Sequence, residues 1–267
     1  MLNTSICLSN DRLYIISGNA TKNKINIKAA ASINLPDSTM INGVITNATA
    51  LGALLSDLRK QRMLPKKGVR LVIESSSVLT KLVQVPILSH RNLIELTKST
   101  LSEIASNYDD LLYDYSVISN KSILCSAIEE SMVESYVNMF DTAGVGLSSI
   151  DISLNCTIKL LRYYQELHNK TYIITILEGN IILSLLFING EYSFSKRYRL
   201  ISERNTPEVI NEITRNISSL IQFHKVQKSD YEIETAYFCG LGESEEIIYK
   251  NIQVEMAIGS EALPENK

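Results

Sequence analysis

Tyr172-Ile173-Ile174-Thr175-Ile176-Leu177-Glu178-Gly179-Asn180-Ile181-Ile182-Leu183-Ser184-Leu185-Leu186-Phe187-Ile188-Asn189-Gly190-Glu191-Tyr192 is the stretch on which the fold turns. Two apolar, β-branched runs, Tyr172 to Leu177 and Ile181 to Ile188, are each followed by turn residues, and Asn189-Gly190 is a strong type I′ hairpin signal into a third strand, Tyr192 to Leu200. A β meander therefore opens midway along the chain. Thr206-Pro207-Glu208 then starts a long helix with a cap, a proline at its first position and an acid in its first turn. Its apolar face is Ile210, Ile213, Ile217, Leu220, Ile221 and His224. Ile233 to Cys239 reads as a strand, Gly240-Leu241-Gly242 as a tight loop and Glu243 to Asn251 as a short helix.

The amino-terminal part begins the same way. Ile6 to Ser17 and Lys24 to Asn34 are β-type runs punctuated by Asn10-Asp11 and by Asn19 to Asn23. Asn47 caps a helix with Leu51, Leu54, Leu55 and Leu58 on one face, stopped by Pro65 and Gly68, and Val69 to Ile73 returns as a buried strand. Between Val78 and Gly144 lies a strand (Val78 to Val85), a helix capped by Ser89, two strands (Leu111 to Ile118 and Ser122 to Ile128), and a helix opened by the capping box Ser131 to Glu134, with Val133, Tyr136, Val137 and Phe140 as its face. This looks like a small α/β unit inserted at about 78–147. A strand at Ser148 to Ile152 and a helix from Ser153 to about Leu167 complete the first half. Two regions that each run from a meander into helices imply a two-lobed α/β (α+β) chain, 1–168 and 169–267.

Composition narrows the function. The 267 residues carry 26 Lys and Arg against 29 Asp and Glu, a net charge of -3, so no global basic field points to nucleic acid. Met1 to Ser5 lacks the pattern of a secretory signal, and Tyr172 to Ile188 is too short and interrupted for a membrane span, which makes a cytoplasmic protein with at most peripheral membrane contact the expectation. Cys7, Cys125, Cys156 and Cys239, and His90, His168 and His224, are dispersed without metal-ligand spacing, so no metal is expected. Asn47-Ala48-Thr49 and Asn155-Cys156-Thr157 are chance triplets in this context. No Walker loop, G-x-S-x-G elbow or H-E-x-x-H is present. The acidic run Asp109-Asp110 to Asp114 reads as a solvated loop and strand edge. Arg59, Lys60, Arg62, Lys66, Lys67 and Arg70 could face anionic lipid or an acidic partner, or be a solvated helix end favoured by the helix dipole.

From Val69-Arg70-Leu71-Val72-Ile73 through Ser75-Ser76-Ser77-Val78-Leu79-Thr80 to Val85-Pro86-Ile87-Leu88-Ser89, the chain resembles the type IV pilus assembly protein PilM family, which is related to the division protein FtsA and to cytoplasmic domains of type II secretion proteins. The segment from Tyr108 to Tyr115 and the helix ending Asp141-Thr142-Ala143-Gly144 continue the resemblance over most of the chain. Gly240-Leu241-Gly242 stands where the family has its adenosine loop, and Ala257-Ile258-Gly259 resembles the start of its closing helix. The resemblance implies an actin-like fold with the second lobe trimmed between Asn251 and Met256.

It also implies a nucleotide site in which Asp-x-Gly turns meet phosphate and magnesium. Here the first turn reads Cys7-Leu8-Ser9-Asn10, with Asp11 the nearest carboxylate, and the second reads Glu178-Gly179-Asn180. Only Gly179 keeps the pattern, and Gly240 and Gly242 leave room for a base or ribose. Ser9, Asn10, Glu178, Gly179, Asn180, Gly240 and Gly242 are thus the remnants of a vestigial site, with no cofactor and no turnover expected, Mg-ATP being the alternative. The partner that the resemblance implies is the extended cytoplasmic tail of a PilN-like inner-membrane protein, docked between the first subdomain and the insertion near Leu82, Val83, Val85, Tyr108, Tyr113 and Tyr115. A scaffold in a pilus or secretion machine, held at the inner face of the membrane, is the expected function, with a homo-oligomer left open. An active actin-like ATPase, a small-molecule kinase and a cell-division filament protein are the competing ones.

Overall fold

The computed structural model describes residues 3–21, 24–86, 89–105, 108, 110–227 and 229–264. Lys22 and Asn23 of the Asn19-to-Asn23 turn, Ile87 and Leu88 before the Ser89 cap, and Asp109 of the acidic run lie outside them. The chain divides into two compact units, Met1–Tyr163 and Tyr164–Lys267.

In the first unit β1 (Asn3–Leu8), β2 (Arg12–Ala20) and β3 (Ile25–Asn34) form an antiparallel meander. A minimal hairpin, β4 (Met40–Ile41) and β5 (Val44–Ile45), turns on Asn42-Gly43 and leads into α1 (Ala48–Lys60). The Asn47 Oδ1 accepts from the Ala50 N–H at 3.0 Å, which is the cap that starts this helix. β6 (Lys67–Ile73) enters parallel to β1, and β10 (Gly146–Ile152) enters parallel to β6, giving the sheet order β10-β6-β1-β2-β3. Alternate residues Ile6, Leu8, Leu13, Ile15, Leu71 and Ile73 face a core filled by Leu51, Leu55 and Leu58 of α1.

Between β6 and β10 the chain makes β7 (Leu79–Gln84), α2 (His90–Ser102), β8 (Leu111–Ser119), β9 (Ser122–Glu129) and α3 (Glu130–Thr142). The three strands form an antiparallel sheet in the order β7-β9-β8, whose own core joins Leu93 and Leu101 of α2 to Ile123, Cys125 and Ala127. α3 packs elsewhere. Its Met132, Tyr136, Met139 and Phe140 lie in the core of the five-stranded sheet, so the separately packed insertion is β7 to β9.

The buried face of α3 is rotated from the one read in the sequence: Val133 and Val137 are only partly buried. The capping box is also absent. The helix starts at Glu130, with Glu129 as a cap residue whose side chain makes no capping bond, while the Glu130 N–H donates to the Asp110 carbonyl at 2.9 Å. The fully buried Tyr136 donates its hydroxyl to the Gly43 carbonyl at 2.6 Å, tying α3 to the small hairpin. Tyr136→Phe leaves that carbonyl without its donor and is expected to cost about 1–3 kcal/mol in urea denaturation. An unchanged midpoint would mean that water replaces the hydroxyl. α4 (Ser153–Leu161) closes the unit, shorter than the helix expected to reach Leu167, which is instead in a separate 3₁₀ turn at Gln165–Leu167.

The second unit contains β11 (Tyr172–Glu178), β12 (Ile181–Ile188), β13 (Glu191–Arg199), α5 (Pro207–Val226), β14 (Thr235–Cys239), α6 (Ile247–Met256) and β15 (Gly259–Ala262). Its sheet order is β13-β12-β11-β14-β15, with β14 parallel to β11 and β15 parallel to β14. Asn189 and Gly190 both take positive φ, 49° and 76°, as a type I′ turn requires. Val209, Ile213, Ile217 and Leu220 of α5 and Ile248 and Ile252 of α6 pack on Ile173, Ile182, Leu186, Ala236 and Phe238.

The chain end differs from the reading above. Ala257, at φ 55°, terminates α6, and Gly259–Ala262 is a strand beside β14 rather than the beginning of a helix. The single helix expected from Glu243 to Asn251 is a 3₁₀ turn at Glu243–Glu245 followed by the longer α6.

Candidate functional site

In the second unit the Glu178-Gly179-Asn180 and Gly240-Leu241-Gly242 loops follow the neighbouring parallel strands β11 and β14, at the carboxyl ends where open α/β sheets place ligands. Glycine is required at 240: φ is 82°, and an added Cβ would stand 2.1 Å from the Leu177 carbonyl oxygen.

Both turns are held by a side chain the sequence reading did not single out. Arg204 donates from Nη1 to the Gly179 carbonyl at 3.0 Å and from Nη2 to the Gly240 carbonyl at 2.8 Å. It is oriented by Glu245, which is 1% exposed and receives Nε at 2.6 Å and Nη2 in a fork. The same carboxylate accepts the Gly242 N–H at 2.9 Å and the Asn205 N–H at 3.2 Å. Burial pushes the Glu245 carboxyl up, but Arg204 and the two backbone donors together hold it below the ordinary range. Glu178 takes no part, and its Oε1 is buried without a hydrogen-bond partner among the described residues.

The first-unit remnants are drawn into a polar junction. Ser9 closes its own turn, with its N–H donating to the Arg12 carbonyl at 2.9 Å and its hydroxyl accepting the Arg12 N–H at 3.2 Å. The Asn10 Oδ1 accepts the Asn42 N–H at 2.6 Å, and the Ser75 hydroxyl donates to the Asn42 carbonyl at 2.8 Å. The loops after β1, β4 and β6 are thereby bound to one another. Among the described residues no three His, Cys, Asp or Glu side chains are gathered as a metal site needs.

A second feature lies where the insertion meets the five-stranded sheet. A cavity of about 210 Å³ is bounded by Ile73 and Ile152 at the carboxyl ends of β6 and β10, by Leu112 to Ser116 of β8, and by Val133 and Asn155. β8 is an edge strand of its sheet and β10 an edge strand of the other. Asn155, 4% exposed, donates from Nδ2 to Asp151 Oδ1 at 2.7 Å, while its own Oδ1 is buried with no partner among the described residues. Lys159 meets the second oxygen of Asp151 at 2.8 Å. Burial pushes the Asp151 carboxyl up, and the hydrogen bonds from Lys159, Asn155 and the Ile152 N–H overcome it, leaving it below its usual range.

Of the six residues expected around a peptide groove, Tyr113 and Tyr115 border this cavity, but both pack on the α2 side of the small sheet, where the Tyr115 hydroxyl meets His90 Nδ1 at 2.6 Å. Val83 and Val85 pack on the α2 side of the small sheet, and Leu82 and Tyr108 do not border the cavity. Leu112, Ser116 and Asn155 were missed. Asn155 appears in the sequence only within an Asn-x-Thr triplet, which gives no sign of its burial.

These arrangements bear on what the chain is similar to. No family model matches it, and no curated protein matches it in sequence. Solved structures do. The "PilM-PilN type IV pilus biogenesis complex" matches with a TM-score of 0.82 at 13% identity, over 98% of this chain and 88% of that one. The fold is actin-like. A Bacteroides thetaiotaomicron protein described as having an "actin-like ATPase fold and unknown function" matches with a TM-score of 0.60 at 11% identity, over 98% and 90% of the two chains. The cytoplasmic domain of EpsL, an inner-membrane component of the Vibrio cholerae type II secretion system, matches with a TM-score of 0.53 at 10% identity, over 100% and 91%. On this actin-like frame the Arg204–Glu245 pair ties together the two second-unit turns that carry the expected nucleotide remnants. No helix among the described residues is long and apolar enough to cross a membrane.

Proposed function

We propose that the chain is a scaffold of a type IV pilus or related secretion machine, held at the inner face of the membrane by the extended tail of a PilN-like inner-membrane protein. The observation that carries this reading is the unsatisfied Asn155 Oδ1 in a cavity beside the β8 edge. A buried acceptor without a donor costs free energy that an incoming backbone N–H recovers, and the β8 edge ahead of Val117 and Ile118, whose carbonyls Arg162 takes, offers further pairing to an extended segment. At about 210 Å³ the cavity is below the roughly 300–1,000 Å³ of small-molecule sites and suits individual peptide side chains. The structural likeness to a PilM-PilN complex supports the choice of partner.

Isothermal titration of the full chain with a synthetic peptide of the cytoplasmic tail of a PilN-like inner-membrane protein tests this. Leu112, 41% exposed, tolerates replacement on the fold, so Leu112→Arg should weaken binding at least about ten-fold through a charge in the groove, and Asn155→Ala should weaken it through the lost acceptor. Leu82→Ala, outside the cavity, should leave it unchanged. Equal affinity for all three variants and the parent would refute the groove.

In this reading the nucleotide turns are structural, with Arg204 in place of a ligand and no turnover. A thermal-shift titration checks this part. Nucleotide at 100 times its dissociation constant would add about 2.7 kcal/mol of stability, several degrees for a chain of this size. No shift is expected with Mg-ATP or Mg-ADP at millimolar concentration, and a shift of several degrees would restore the ATPase alternative.

A further inference from the structure

At the opposite end of β6 from the peptide cavity, Arg59, Lys60, Arg62, Lys66, Lys67 and Arg70 line one open concavity of about 980 Å³. Six of the chain's 26 basic residues thus fall within a span of twelve, in a protein whose net charge is -3. No Asp or Glu is in the wall. Among the described residues the one carboxylate that reaches these cations is Asp57, on Lys60 at 2.9 Å. Arg59, Arg62, Lys66 and Lys67 make no ion pair among the described residues, and the Arg59 Nε is buried with no hydrogen-bond partner.

The helix dipole accounts for part of this only. Arg59 and Lys60 are in the last turn of α1, where cations are favoured whatever the function, but Arg62 onward lies beyond the helix. Accumulating like charges in one concavity raises their mutual repulsion, which an anionic ligand relieves. Between the cations the loop presents Met63, 38% exposed, and the exposed Pro65. An apolar tip flanked by Lys and Arg has the composition of an interfacial anchor, whereas an acidic peptide requires only the charges.

We propose that this concavity docks directly on an anionic phospholipid surface, its cations binding headgroup phosphates while Met63 enters the interfacial layer. The contact does not depend on the peptide reading. Six residue steps of β6, about 20 Å at roughly 3.3 Å each, separate Lys67 from Ile73, so both surfaces can be occupied at once.

Vesicle co-sedimentation of the full chain, without any peptide or partner, tests it. Binding is expected to vesicles of phosphatidylcholine with about a third phosphatidylglycerol, to be lost at 0.5 M NaCl through screening, and to be absent with phosphatidylcholine alone. Each removed cation should weaken it about five-fold, so Lys66→Gln with Lys67→Gln should weaken it about 25-fold. Lys98→Gln with Lys250→Gln, the same change of net charge at exposed positions elsewhere, should leave it unaltered. Equal loss in both double variants, or no binding to the anionic vesicles, would overturn the proposal. So would calorimetric binding of inorganic tripolyphosphate or polyglutamate by a chain that ignores the vesicles, since the concavity would then serve a soluble anion. The variants are chosen at exposed, unpaired side chains, and coincident thermal unfolding curves establish that each is folded.

Discussion

Arg204→Met is expected to lower the stability of the second unit by about 3–5 kcal/mol at neutral pH, the cost of leaving a buried carboxylate without its cation. Glu245 is 1% exposed and would retain only the Gly242 and Asn205 N–H donors. Two turn carbonyls, of Gly179 and Gly240, lose their donors in the same step. Glu245→Gln should cost less, because Arg204 is 24% exposed and can turn toward water. The double variant Arg204→Met/Glu245→Leu should recover part of the loss, since it buries no unpaired charge.

The pH dependence has a definite sign. In the parent protein the Glu245 carboxyl is held below its ordinary value, so its contribution is complete above the ordinary carboxylate range and is lost as pH falls through the folded-state value. Arg204→Met removes the chief lowering influence, so burial raises the carboxyl instead, and the variant should approach the parent's stability as the pH is lowered. Urea denaturation at pH 7 and pH 4 with amide exchange over β11, β14 and their loops measures both. An Arg204→Met protein with the parent's midpoint at pH 7 would show that water, not Arg204, satisfies the site.

Phe140→Ala is the second large effect, about 3–5 kcal/mol, from a fully buried ring removed from a close-packed core. What it decides is to which body α3 belongs. Phe140 shares one buried core with Tyr136, Leu51, Leu55 and the β1 and β6 side chains, so accelerated exchange should appear in β1, β6 and α1. Leu93→Ala, in the separate core of the three-stranded sheet, should act on β7, β8, β9 and α2. If Phe140→Ala disturbed only β7 to β9, α3 would be part of the insertion after all.

Local chemistry explains why some of this was readable in advance. The α1 face, the Ser89 cap and the Asn189-Gly190 turn are each decided by residues close in sequence, and the structure places them as their spacing implies. On α3 two apolar faces compete, Val133 with Val137 against Met132 with Met139, and only the position of the five-stranded sheet chooses between them. β15 reads Gly-Ser-Glu-Ala and has no alternating pattern, so it becomes a strand through pairing with β14 and not by propensity. The glycines marked where turns would form, but their carbonyls are claimed by an arginine 25 and 36 positions away. Asn155 was invisible for the same reason: an unsatisfied acceptor exists only once the surrounding groups are in place.

The Arg204 bridge also fixes what can adjust the second unit. A turn held by a dissociable ligand loosens and tightens with the concentration of that ligand, and so reports on a metabolic pool. Here the cation that joins the two turns is a covalent part of the same chain, present at a local concentration no cellular pool can change. Mass action has no hold on this tie. It is built once, at folding, and lasts as long as the fold does.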